Sequence, residues 1–258
     1  MLKKDAIKEM IDNAIDTGDF SAYEILIENA REKMKKSGRP LTIQEFKDLL
    51  GIHITVNHTG KMSGMISIST SCLHNPDCKD HAGINGAICK LCYANTLLTK
   101  RSSIDIPLLK NTKILCNVII PADVWPLLNV RYFRFESFGD LQCTNQVINY
   151  FNCCIRNKET ECAAWTKNYK YIKMTIDDLG YSKPSNLVIV ISSLMINVRL
   201  NIKLFKYADK VFTVYTKEYL ELHPEIKINC GSLHCLTCNR CYHLDSEVYI
   251  NELVKNVA

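Results

Sequence analysis

Eight of the thirteen cysteines in this 258-residue chain fall into two short stretches. Cys72, Cys78, Cys89 and Cys92 follow the pattern C-x5-C-x10-C-x2-C, and Cys230, Cys235, Cys238 and Cys241 follow C-x4-C-x2-C-x2-C. A two-residue gap lets neighbouring thiolates turn toward one centre, which suits zinc and iron–sulfur clusters alike. Four sulfurs alone do not decide between those metals. The run C-x2-C-x2-C favours iron–sulfur, because three successive ligands can grip three corners of a cubane. Zinc sites more often separate two C-x-x-C pairs by a longer stretch. The expectation is two [4Fe-4S] clusters, one per set, with zinc as the alternative metal. His74, His81 and His234 lie among these cysteines and read as loop residues or as donors to the ligands. Cys116, Cys143, Cys153, Cys154 and Cys162 sit in apolar or helical surroundings, where cysteine behaves as a small hydrophobe. Cys143, just past an "FGD" turn, is the exception among them.

Metal-binding side chains need a frame, and the composition allows one. Residues of hydrophobic type make up 47% of the chain, enough for a sizeable core. The net charge of +5 permits an anionic partner without arguing for nucleic acid. The first residues, "MLKKDAIKEM", lack the apolar stretch of a signal peptide. The longest apolar run, "LVIVISSLMI" (187–196), is too short to cross a bilayer. The expected location is cytoplasmic, with no membrane partner, and a reducing compartment turns thirteen cysteines away from a disulfide framework.

Residues 1–51 form an expected helical N-terminal extension, with Ile7, Met10, Ile11 and Ile15 at helical spacing. Ser21 with Glu24 and Thr42 with Glu45 each fit the capping box that opens a helix. Residues 52–258 form the main domain. Strand-like runs occur at 65–70, 131–138, 162–167, 187–193, 211–216 and 226–230, with helix-like material in several gaps. Strands alternating with helices predict an α/β fold with a parallel sheet. A (βα)6-type partial barrel is the leading architecture, and an open doubly wound sheet is the second. Functional groups of such folds gather where strands run into their following loops. Here those ends read "STSC", "ESFGD", "WTKN", "ISS", "VYT" and "NCG", so both cysteine sets are expected on one rim.

Several other rim residues are candidates. Asp140 could accept hydrogen bonds from an ammonium group or act as a base, or it could cap the next helix. Lys167 and Asn168 could bind a carboxylate or phosphate, or belong to a solvated loop. Ser192 and Ser193 could bind a ligand through their hydroxyls or serve an ordinary turn. Trp165 and Tyr215 are either ligand platforms or barrel filling. No Ser–His–Asp arrangement, P-loop or dinucleotide glycine fingerprint stands out, so hydrolase and nucleoside-triphosphatase chemistry lacks support.

The segments "GKMSGMISISTSC", "CKLCYA", "RFESFGDL", "AAWTKN", "VFTVY" and "NCG…CLTCNRCY" occur in an order similar to the phage "gene product 88" family. The resemblance covers roughly residues 58 to 251, and that family's motif usually carries another residue where this chain has Glu136. More distantly, the chain resembles radical S-adenosylmethionine (SAM) enzymes, whose cysteine loop after the first strand can end in C-x-x-C-Y-A, as "CKLCYA" does here. The resemblance implies that Ser137, Gly139 and Asp140 of "SFGD" hold the amino group of SAM, and that "WTKN" matches a strand end of that group. It implies a six-unit partial barrel and, for a phage protein, the host cytoplasm. The departure is the first cysteine set. Radical SAM enzymes typically use three cysteines in C-x3-C-x2-C, leaving one iron open for SAM, whereas this chain offers four at wider spacing. Should Cys72 or Cys78 stand aside, an open iron returns.

The expected function is redox or radical chemistry on an unknown substrate, with Asp140 and Lys167 as candidate catalytic groups and an electron-donor protein as a candidate partner. The alternatives are a zinc module that binds nucleic acid and a non-catalytic iron–sulfur electron carrier.

Overall fold

The computed structural model describes residues 1–231, 233–244 and 247–254. Three helices open the chain, α1 (Lys4–Thr17), α2 (Tyr23–Ser37) and α3 (Ile43–Leu50). Gly18 ends α1 in the left-handed conformation that the "DTGD" break suggested. The capping box forms at Thr42, whose hydroxyl accepts from the Glu45 amide while Glu45 accepts from the Thr42 amide. The expected box at Ser21 does not form. The Ser21 amide instead bonds to Asp19, and α2 starts at Tyr23 without a side-chain cap.

One parallel sheet follows, with strands β1 (Ile66–Ile68), β2 (Tyr132–Phe135), β3 (Glu161–Thr166), β4 (Leu187–Ser192), β5 (Lys210–Tyr215) and β6 (Tyr249–Leu253). The strands stand in sequence order, each paired in parallel with its neighbours in the chain. Helices α4 (Pro76–Gly83), α5 (Tyr93–Lys100) and α6 (Ser102–Asn117) connect β1 to β2. Next, α7 (Thr144–Arg156) leads to β3 and α8 (Tyr169–Lys173) to β4, while α9 (Lys217–Leu222) and the single turn α10 (Cys235–Cys238) precede β6.

Two sequence expectations need correcting. The β4–β5 crossover contains a short 3-10 turn, Ile202–Leu204, in place of an α-helix. Asn197, in the left-handed conformation, fastens that crossover to the end of β5 through the Val214 carbonyl and the Thr216 amide. The sixth strand is also not the 226–230 run. That run lies along the edge of β6, tied by Asn229, which accepts from the Asn251 amide and donates to the Tyr249 carbonyl. The second cysteine set therefore precedes the last strand instead of following it.

The two faces of the sheet divide the side chains by the period of two that strands impose. Phe133, Phe135, Cys162, Ala164, Ile189 and Ile191 pack toward the helices in the main core, which also holds Ile11, Leu26, Phe46 and Trp125. The N-terminal helices thus share one core with the sheet, and the rings of Phe46 and Trp125 lie 4.9 Å apart. Lys110 with Asp12 and Arg31 with Asp123 add ion pairs at the surface of that contact. On the other face Tyr132, Ala163, Val188, Val190 and Ile250 meet Cys230, Cys235, Cys241 and Tyr242. Among the described residues, no helix is long and apolar enough to cross a membrane.

Candidate functional site

A cavity of about 510 Å³ opens where the strands run into their loops. Arg134, Trp165, Phe212 and Val214 form its floor, and Glu136 to Asp140, Thr166, Lys167, Ser192 and Ser193 its wall. Both cysteine sets reach it, with Cys89 and Cys92 on one side and Cys235 on the other.

The first set folds around α4 and α5. Asn75 opens α4 by accepting from the Cys78 amide, which fixes Cys78 in the first turn of that helix. Cys72 is buried against Ala94, Leu98 and Leu108, and Cys78 and Cys92 pack on the same patch. The thiols of Cys72 and Cys92 are close enough for each to shift the pKa of the other. The Cys72 proton, together with the Ala94 and Asn95 amides at the start of α5, holds Cys92 well below the usual thiol range. Burial pushes Cys78 and Cys89 up. Lys167 faces these sulfurs. Its burial works against its charge, but Cys89, Asp140, Cys78 and Cys92 outweigh that and raise its pKa. His74 pairs with Asp105 on α6 at 3.4 Å and so is turned to the helix. His81 is half-buried at the end of α4 and His234 is exposed.

The second set packs over the sheet face itself. Lys61 donates to the Cys230 sulfur at 3.0 Å and to Glu252 of β6 at 2.9 Å. Arg240 donates to Cys238 at 3.7 Å. Arg134 stacks on Trp165 at 4.4 Å, and its charge favours the thiolates of Cys235 and Cys241. Burial dominates nonetheless and pushes Cys241 up to about 12. Leu236 presses so close to Gly64 that a Cβ there would meet it at 2.7 Å, which holds α10 against the turn before β1.

Among the described residues no three His, Cys, Asp or Glu side chains stand in a metal-holding arrangement. Each set gathers its sulfurs without closing them on a common point. The donor chemistry nonetheless fits a thiolate-bound metal. Metal binding deprotonates its cysteines, and buried thiolates need counter-charge. Lys61, Arg134 and Arg240 supply it to the second set and Lys167 to the first. The Arg134 Nε is buried without a hydrogen-bond partner, a donor left over beside Cys235 and Cys241.

The remaining candidates divide by what they touch. Ser137, Gly139, Asp140, Trp165, Lys167, Ser192 and Ser193 line the cavity, whereas Asn168 and Tyr215 do not. The Asn168 side chain donates to the Leu141 carbonyl, and Tyr215 is buried and accepts from Arg199. The Asp140 carboxylate is occupied by the Leu141 and Lys167 amides and the Thr166 hydroxyl, so it organises two loops. Gly139 is required by space: a Cβ would lie 2.5 Å from the Thr70 carbonyl and 2.6 Å from the Glu136 carboxylate. Ser137 is bonded to Ser67 and Ser69, and Ser193 to the carbonyls of its own turn.

Glu136 is the wall residue that the sequence left without a role. It sits at φ 58° directly after β2, a conformation rare outside glycine and asparagine. Its carboxyl group accepts from Thr70, from Gln146 at 2.6 Å and from the Tyr150 hydroxyl. Burial, with Asp140 nearby, raises its pKa to about 7 despite those bonds. Lys61, Arg134 and Glu252 were missed as well, because they reach the second set from separate strands and turns and leave no local spacing.

No family model, no curated protein and no solved structure matches the chain.

Proposed function

We propose that the chain is an iron–sulfur protein with two [4Fe-4S] centres, acting as a radical-SAM-like or other redox enzyme. The supporting observation is that Cys89, Cys92 and Cys235, from two cysteine sets far apart in sequence, line one cavity at the strand ends. The resemblance of the motifs to the phage "gene product 88" family and to radical SAM enzymes belongs to the same proposal, as does a partial barrel. A flat six-strand sheet would hold its edge strands about 24 Å apart. The Lys61–Glu252 bond, from the turn before β1 to β6, favours a sheet curled on itself.

Cys72, Cys78, Cys89 and Cys92 would hold one centre, and Cys230, Cys235, Cys238 and Cys241 the other. When bound, such centres supply single electrons. The chain's own groups do the rest. Lys167 offers a positive charge for an anionic group beside the first set. Glu136 can hold or release a proton at the wall near neutral pH. Trp165, Phe212 and Phe138 give the cavity apolar surface that limits water.

Purification without oxygen tests the proposal. The expected result is a brown protein with about eight irons per chain and matching acid-labile sulfide. A colourless protein containing zinc ends it, and salt-dependent DNA binding by that protein would establish the zinc module instead. Reduced protein given SAM is expected to release 5′-deoxyadenosine. None forming leaves a SAM-independent redox enzyme or an electron carrier.

A further inference from the structure

Five cysteines stand outside the two sets, and they form two kinds of environment. Cys153, Cys154 and Cys162 are fully buried in the main core, where burial pushes the thiols of Cys153 and Cys154 far up. Cys116 and Cys143 are half-buried. Cys116 lies in the last turn of α6 and Cys143 immediately before the first turn of α7. Their thiols are close enough for each to shift the pKa of the other. The Cys143 sulfur also lies 3.7 Å from the Cys116 carbonyl, and the Asn145 side chain donates to that same carbonyl at 3.0 Å. The two helix ends are thereby held together whatever the thiols do.

The pair is chemically unequal. The Cys116 proton and the Asn145 and Gln146 amides face Cys143, which lowers its pKa below the usual thiol value, while Cys116 is raised. One reactive thiolate beside a second thiol is the arrangement that thiol–disulfide exchange requires. With the Cys143 sulfur already against the Cys116 backbone, closing a disulfide brings the two sulfurs to about 2 Å. Neither residue lines the cavity, so this chemistry is separate from the metal sets.

We propose that Cys116 and Cys143 form a redox-active dithiol that exchanges with small-molecule disulfides of the glutathione class. The Cys143 thiolate attacks one sulfur of glutathione disulfide, forming a mixed disulfide and releasing one glutathione thiolate. Cys116 gives up its proton and attacks the Cys143 sulfur, releasing the second glutathione. The protein gains one disulfide and loses two electrons, the glutathione disulfide accepts them, and the two protons end on two glutathione thiols.

Glutathione redox titration of the anaerobically purified protein, followed by acid quench, alkylation and peptide mapping, tests this. In oxidised buffer the expected product is one linked peptide joining Cys116 to Cys143, which reverts to two alkylated thiols in reduced buffer. In Cys116→Ser, Cys143 is expected to carry glutathione. In Cys143→Ser, Cys116 is expected to react at least about tenfold more slowly. Two free thiols at the oxidised end, in protein whose circular dichroism is unchanged, overturn the proposal, as does a bond from Cys143 to any other cysteine. The mapping on the unsubstituted chain decides the matter even if a variant misfolds.

Discussion

The two cysteine sets solve the same electrostatic problem by different means. The first relies on hydrogen bonds from nearby in the chain: the Cys72 thiol and the Ala94 and Asn95 amides favour the Cys92 thiolate, and Lys167 is the cation that faces the set. The second relies on cations brought from a distance. Lys61 stands before β1, Arg134 on β2 and Arg240 beside Cys241, and each faces a different sulfur or pair of sulfurs. The hydrogen bonds that favour the Cys92 thiolate come from its own segment of chain. A set stabilised across the sheet depends on the whole sheet being in place.

The largest expected difference is in thiol reactivity. In metal-free protein at pH 7, Cys92 should be alkylated at least about 100-fold faster than Cys241, since one is lowered and the other pushed up to about 12. Timed iodoacetamide labelling with peptide mapping measures both rates, and equal rates would remove the distinction between the sets.

The wall beside the first set gives the next effect. The folded pKa of Glu136, about 7, lies above its ordinary 4.5, so its protonated form favours the native state. That contribution is complete below pH 4.5 and is lost as pH rises through 7, amounting to roughly 3 kcal/mol. Urea unfolding should show this loss in the natural chain and a flatter profile in Glu136→Gln. The adjoining Gly139→Ala should cost about 2 kcal/mol at any pH, because its Cβ would strike the Thr70 backbone. A fall of less than a few tenths in the same measurement would mean that the loop yields.

The smallest effect is expected at the second set. Lys61→Met removes a partly exposed cation, costing about 1 kcal/mol, and should raise the fraction of protonated Cys230. Thiolate absorbance at 240 nm against pH tests whether that change stays within the second set. An equal shift at Cys92 would show that the sets are coupled.

Much of the frame was legible in the chain. The runs that became β1 to β5 are largely apolar because parallel strands are covered on both faces. The last strand, "YINEL", carries Asn251 and Glu252 amid its apolar residues, so it does not read as a buried strand. The run 226–230 does look like one, but it meets β6 only at its end, through an isolated bridge at Cys230 and the Asn229 side chain. The cavity lining was legible at Ser137 to Asp140, Trp165 and Lys167. Asn168 and Tyr215 were not separable from them, because the alternation that turns Val214 into the cavity and Tyr215 away depends on register. Glu136 was visible as a residue, but its role follows from Thr70, Gln146 and Tyr150, which sequence spacing does not bring together.

The order of β6 and the second set along the chain has a consequence for synthesis. Every thiol of that set has been translated by residue 241, yet the Asn229 side chain and the carboxylate that pairs with Lys61 find each other only through β6. A nascent polypeptide paused before residue 249 carries all the sulfurs but lacks the edge strand that completes their seat. Maturation of this half of the molecule is therefore timed by its final segment, and truncations upstream of that segment should leave a loose, oxidation-prone run of cysteines.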